Sequence, residues 1–190
     1  VRFEERRLLD RLARGAVHQG VVAVGAAERY ADMEKVFATA RMLVVLDGVE
    51  DPHNLGAIIR TVNAAGADAV VVPERRAAGL TETVAKAAAG ALAYVRVVRV
   101  GNISQTLDSL KARNYWIYGL DERGDQDYDK VEFTAPAALV LGGEGKGLHQ
   151  HVKKHCDFLV RIPLAGRIPS LNVSVAAGIV LFEWKRRGGR

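Results

Sequence analysis

Glycine, proline and aliphatic residues surround the polar side chains of this chain that could do chemistry. Asn54 and Arg60 lie in "DPHNLGAIIRTVNAAGA", Glu144 and Lys146 in "LVLGGEGKGL", and Ser170 and Asn172 in "RIPLAGRIPSLNVSVAAGIVLFEWKRR". Glycines without Cβ atoms let a backbone bend sharply and approach a bound molecule closely, so Glu144 could be held against a ligand. The loop is not a triphosphate cradle. A Walker-type loop needs a glycine five residues before Gly145 and a hydroxyl after Lys146, and Val140 and Gly147 stand there. The dinucleotide pattern fails too, because Gly143-x-Gly145 is followed by Gly147 one residue early and then by Leu148. Lys146 is open to contact with a polyanion or to plain solvation.

The other candidates have structural readings beside the functional ones. After the turn initiated by Asp51-Pro52, Asn54 is placed to cap a helix, and capping and function stand level for it. Leu55, Ile58, Ile59 and Val62 fall at i, i+3, i+4, i+7 and form a buried stripe, with Gly66 closing the helix. Arg60 lies off that stripe, where a solvated arginine is the plain reading. Ser170 is a natural N-cap for the last helix. Asn172 and Ser174 open a segment otherwise so apolar that their polar groups call for partners. From Val173 to Trp184 the segment is apolar almost all round, which demands burial on every side. A subunit interface supplies that burial, so a homodimer is expected.

The elements that must position these residues are legible as alternation. Val21 to Val24, Leu43 to Leu46, Ala69 to Val72, Val95 to Val100, Trp116 to Leu120, Ala138 to Leu141 and Phe158 to Ile162 read as strands. Several are unbroken aliphatic runs, as parallel strands covered on both faces require. Helical patterns fall between them, over Leu55 to Ala65, Glu82 to Ala91, Ile103 to Arg113, Leu148 to His155 and Leu171 to Arg187. The class is therefore α/β, a mainly parallel sheet flanked by helices, with ligands expected where strands end in loops. The polar stretch 121–134 is the longest expected loop.

Composition narrows the chemistry. With 190 residues, 49% hydrophobic, there is chain enough for one sizeable core. No apolar run reaches the ~18 residues that span a membrane. The single cysteine, Cys156, excludes an internal disulfide and a cysteine-rich zinc site, which fits a reducing cytoplasm. His18, His53, His149, His151 and His155 offer no clean ligand set, so no metal is expected. A net charge of +5 suits a polyanionic partner, although part of the excess sits at the two ends.

Taken together and in order, "DPHNLGAIIRTVNAAGA", "LVLGGEGKGL" and "IPLAGRIPSLNVSVAAGI" resemble the signature motifs of the SpoU (TrmH-like) branch of the SPOUT RNA methyltransferases. The "HQGVVA" at 18–23 resembles the start of the catalytic domain in the subgroup that methylates a guanosine ribose of large-subunit ribosomal RNA. The resemblance implies a deep C-terminal trefoil knot, S-adenosylmethionine as cofactor, RNA as substrate and a dimer. It implies cofactor contacts, largely through backbone, at Gly142, Gly143, Ile162, Leu164 and Leu171. Asn54, Arg60, Glu144, Ser170 and Asn172 match the family's functional polar set, with the arginine assigned the role of base. A guanidinium normally stays protonated, so Arg60 suits alkoxide stabilisation or a phosphate clamp equally. Residues 1–40 are expected to be a lead-in, or the remnant of a linker from a small RNA-recognition domain, ahead of a catalytic domain over 41–190. Rival readings are a transfer-RNA ribose methyltransferase, an antibiotic-resistance methyltransferase, a non-catalytic RNA-binding domain of the same fold and a nucleotide-binding dehydrogenase.

Overall fold

The computed structural model describes residues 1–13, 15, 17–22, 30–145 and 147–188. Its centre is a seven-stranded sheet in which all strand pairs are parallel, in the order β3-β2-β1-β6-β4-β7-β5. The strands are β1 (Met42–Asp47), β2 (Ala69–Pro73), β3 (Arg96–Val100), β4 (Trp116–Leu120), β5 (Gln126–Asp127), β6 (Ala137–Gly142) and β7 (Phe158–Arg161). The helices are α1 (Arg6–Leu12), α2 (Met33–Phe37), α3 (Pro52–Ala65), α4 (Glu82–Ala88), α5 (Ile103–Lys111), α6 (Gln150–Lys153) and α7 (Val173–Arg186).

Strand pleating sorts the core into two layers. On β1, Met42, Val44 and Leu46 face one cluster, and Leu43 and Val45 face the other. The first cluster holds α3 through Leu55, Ile58, Ile59 and Val62, α4 through Val84 and Ala88, and α7 through Ala177, Val180, Leu181 and Trp184. The second holds α2 through Val36 and Phe37, α5 through Ile103, Leu107 and Leu110, and α6 through Val152. Every residue of β1 is buried, which is why its sequence is a continuous aliphatic run and not an alternation. Full burial of each such side chain contributes roughly 1.5–3 kcal/mol, so the aliphatic strands and helix stripes hold the sheet and both helical layers together. Gly56 lets α3 and α4 touch, since a Cβ there would meet that of Ala87 at 2.4 Å.

Several expected boundaries move, each for a local reason. α3 begins at Pro52, not Leu55, because Asp51 is the N-cap, accepting from the His53 N–H at 2.9 Å, and proline suits the first helical turn. α7 begins at Val173 because Asn172, not Ser170, caps it. α4 stops at Ala88, with a short 3-10 turn over Ala91–Ala93 after Gly90 at φ +87°. The pattern over Leu148 to His155 yields only the four residues of α6. Within the expected loop 121–134, β5 adds an edge strand to β7, anchored by Asp127, whose carboxylate accepts from Arg161 Nε at 2.8 Å. Backbone bonds from Asp125 N–H to Leu159 O at 3.0 Å and from Tyr128 N–H to Arg161 O at 2.8 Å hold it to β7 beside that ion pair. Val21 and Val22 lie in no strand, and the rest of that expected strand, with Ala23, lies outside the described residues. The short helix α2 packs into the core ahead of residue 41.

Within the single chain α7 is buried on one side only. Val173, Ala176, Ala177, Val180, Leu181 and Trp184 face inward, while Val175 (50%) and Phe182 (51%) remain exposed on the outer face. A single chain covers only half of this helix.

Candidate functional site

Parallel strands deliver their C-terminal ends to one edge of the sheet, and register brings the motif loops together there. Asp47, the last residue of β1, pairs with Gly142, the last of β6, so these two loops leave side by side. β7 lies beyond β4 on the same side, and its loop returns across this edge to start α7.

A hydrogen-bond relay ties all three segments. The Ser174 N–H (2.9 Å) and hydroxyl (2.6 Å) donate to Asn172 Oδ1. Asn172 Nδ2 donates to Asn54 Oδ1 at 2.9 Å, and Asn54 Nδ2 donates to Glu144 Oε1. Asn54 is only 5% exposed, so as a buried amide it needs both partners. Because Asp51 takes the capping duty, the Asn54 side chain is free for the relay. The donors all point toward Glu144, and aligned bonds polarise one another, leaving its carboxylate as a fixed acceptor on the loop.

The glycines of the second loop are needed for a reason the sequence did not reveal. A Cβ on Gly142 would meet the Gly147 carbonyl carbon at 2.0 Å, and one on Gly143 would meet the Gly48 oxygen at 2.1 Å. The close approach is to the chain's own backbone. Gly143 N–H donates to Asp47 O at 2.8 Å, and Gly143 and Gly147 bridge across the turn, where Gly147 adopts φ +60°. Lys146 lies outside the described residues.

The remaining candidates divide. Arg60 is exposed on α3 and, among the described residues, enters neither the relay nor an ion pair. Ser170 is exposed and does not cap α7. Ile162 packs partly buried against the core, and Leu164 and Leu171 are each 40% exposed on the loop between β7 and α7. Two uncovered leucines near backbone that bends at glycines suit a ligand with apolar and polar parts, so this donor set fits a nucleoside–amino acid cofactor. Its purchase would come from loop backbone and the leucine side chains.

Sequence reasoning missed Asp47 and His149. Asp47 is 6% exposed, and its carboxylate accepts from the His149 N–H at 2.8 Å and lies 3.0 Å from His149 Nδ1. The signal was an aspartate ending an otherwise aliphatic strand. Beside them a cleft of about 490 Å³ is lined by Gly48, Glu50, Asp51, Arg76, Gly143, Glu144, Gly147 and His149. Among the described residues no cluster of three or more His, Cys, Asp and Glu could hold a metal ion, and no helix is long and apolar enough to cross a membrane.

Comparison with known proteins gives one consistent picture. The family model described as the SpoU rRNA Methylase family matches residues 41–182. The putative TrmH family tRNA/rRNA methyltransferase YacO of Bacillus subtilis is 44% identical over 193 residues, spanning 98% of this chain and 77% of that protein. The SpoU methyltransferase AviRb from Streptomyces viridochromogenes, in complex with AdoMet, superposes with a TM-score of 0.77 at 32% identity. The superposition covers 84% of this chain and 63% of AviRb, so this chain spans less than two thirds of that structure. A structure described for 2-OH methylation of C/U34 on tRNA gives a TM-score of 0.71 at 26% identity, over 79% of this chain and 99% of the other.

Proposed function

The chain belongs to the SpoU family of RNA methyltransferases, and on that premise we propose that it methylates a ribose 2′-hydroxyl of RNA, using S-adenosylmethionine. The proposed substrate is a guanosine of large-subunit ribosomal RNA in the cytoplasm. The observation that carries the reading is the relay from Ser174 through Asn172 and Asn54 to Glu144, which joins three loops far apart in sequence at one edge of the sheet.

When bound, S-adenosylmethionine supplies an electrophilic methyl group on a sulfonium. The chain's residues then have definable tasks. Leu164 and Leu171 exclude water, which favours a reaction that destroys charge over its separated ions. Glu144, held by Asn54, accepts from a hydroxyl and so orients it. The guanidinium of Arg60 stays protonated and offers a planar fork of donors, so it stabilises a developing alkoxide or grips the adjacent phosphate. Asn172 and Ser174 keep the third loop docked on the first, and the exposed Ser170 on that loop offers its hydroxyl to a ribose group. The exposed Val175 and Phe182 of α7 support a homodimer in which a second copy covers them. The family's C-terminal knot belongs to the same reading.

Calorimetry tests the reading. The protein should release heat with S-adenosylmethionine and none with NAD; heat with NAD alone would overturn it. A transfer-RNA substrate is the second reading, supported by the structural neighbour that acts on tRNA. Mapping 2′-O-methyl positions in RNA from cells with and without the gene separates the two.

A further inference from the structure

The cleft between the β1–α3 loop and the glycine loop has a cationic wall that the relay does not use. Arg76 lines it from the segment after β2. Its backbone is left-handed at φ +58°, a conformation that non-glycine residues rarely adopt. Both flanks of the segment are tied down, by Glu74 N–H to Val100 O at 2.9 Å and Ala78 N–H to Val49 O at 3.1 Å. Arg76 is exposed and enters none of the ion pairs found among the described residues. A strained backbone fixed on both sides that presents an unpaired guanidinium to a cleft is the kind of outlier that marks a binding position.

His149, also in the lining, is braced differently. With Nδ1 directed at the buried Asp47 carboxylate, the ring of His149 is fixed and Nε2 is its remaining polar atom. Three carboxylates also line the cleft. Asp51 is engaged by the His53 N–H and Glu144 by Asn54, whereas Glu50 is exposed. A lone phosphate would be repelled by this acidic side. A nucleotide is not, because its phosphate can meet Arg76 while base N–H and ribose O–H donors meet carboxylate acceptors. The volume of about 490 Å³ falls in the range of ligand sites.

The geometry points to this cleft as the seat of one nucleotide of the RNA, with Arg76 as its phosphate anchor and the Asp47-braced His149 as a positioning residue. The assignment rests on the RNA methyltransferase reading and adds to it a place and an orientation for the substrate.

Filter binding of ribosomal RNA from cells lacking the gene, titrated with salt, tests it. Arg76→Ala should weaken binding about tenfold near 0.1 M salt and reduce the slope of log K against log salt by about one, the signature of one lost phosphate contact. Arg76→Lys should restore the slope and only part of the affinity, since a point charge lacks the fork. Arg41→Ala removes the same charge next to the opposite end of β1 and should change neither. His149→Ala should weaken binding with the slope intact. Affinity for S-adenosylmethionine should be unaltered throughout. An Arg76→Ala protein with the parent's affinity and slope overturns the seat. Methyl transfer by the parent separates the two readings. If RNA binding depends on Arg76 but no methyl is transferred, the seat stands and the enzymatic reading falls. If methylation proceeds without any dependence on Arg76, the seat alone falls.

Discussion

Asn54 is the joint of the relay, and its removal has a size that can be worked from the structure. Asn54→Ala deletes one neutral bond, from Asn172 at 2.9 Å, and one to the Glu144 carboxylate. Neutral bonds contribute about 0.5–1.5 kcal/mol net and bonds to charged groups about 1.5–3. Glu144 and Asn172 are themselves exposed, so water reoccupies part of what is lost. The expected cost is then near the lower end of the sum, about 2 kcal/mol, or about 4–8 °C in Tm for a chain of this size. Thermal melts of the parent, Asn54→Ala, Glu144→Ala and the double variant form a cycle that isolates the pair. A coupling of about 1–2 kcal/mol is expected, and Asn54→Ala should also lose affinity for S-adenosylmethionine because two of the loops are no longer held together. Additivity within about 0.3–0.5 kcal/mol would show that the two side chains do not interact, and would remove the relay as the organising feature.

Three further outcomes follow from single sites. Gly142→Ala should cost about 1–3 kcal/mol by overpacking against Gly147, and calorimetry should show cofactor binding abolished; normal binding would mean the loop has room that its geometry denies. Arg60→Ala should abolish methyl transfer while cofactor affinity stays at the parent's value, and Arg60→Lys should recover little; parent-level turnover in either variant would remove Arg60 from the chemistry. Burial pushes the Cys156 thiol up from 9.0 to about 12, so the folded state holds this proton more tightly than the unfolded chain. Its contribution to stability is fully present below pH 9 and is lost as pH rises toward 12; alkylation at pH 8 should be slow in the native protein and fast in urea, and equal rates would contradict the burial.

The sheet was legible where physics is local and repetitive. β1, β2 and β6 carry aliphatic runs buried on both faces, as parallel strands covered by helices on each side require. β5 was not legible, because its two polar residues carry no strand pattern and its hold on the sheet comes from backbone pairing with β7, more than 30 residues away. The caps misled in an informative way. Asn54 and Ser170 both have the right type for N-caps, yet Asp51 and Asn172 take those places, and Asn54 is released for the relay. The polar set of the candidate site was named from the motifs, but its wiring was not, since the partner of a side chain depends on register between strands. Asp47 and His149 escaped for the same reason: their contact spans 102 residues. The glycines were read as room for a ligand, and at Gly142 and Gly143 the space a Cβ would take is filled by the chain's own backbone at Gly147 and Gly48.

The central claim is that the joined loops direct a methyl group onto a ribose oxygen of RNA. Incubation of the protein with ribosomal RNA and S-adenosylmethionine carrying a deuterated methyl, followed by digestion to nucleosides and mass spectrometry, measures this directly. The account predicts label in a 2′-O-methyl nucleoside, on the ribose fragment and not the base. Label on a base, or none in RNA while the cofactor binds normally, would contradict it.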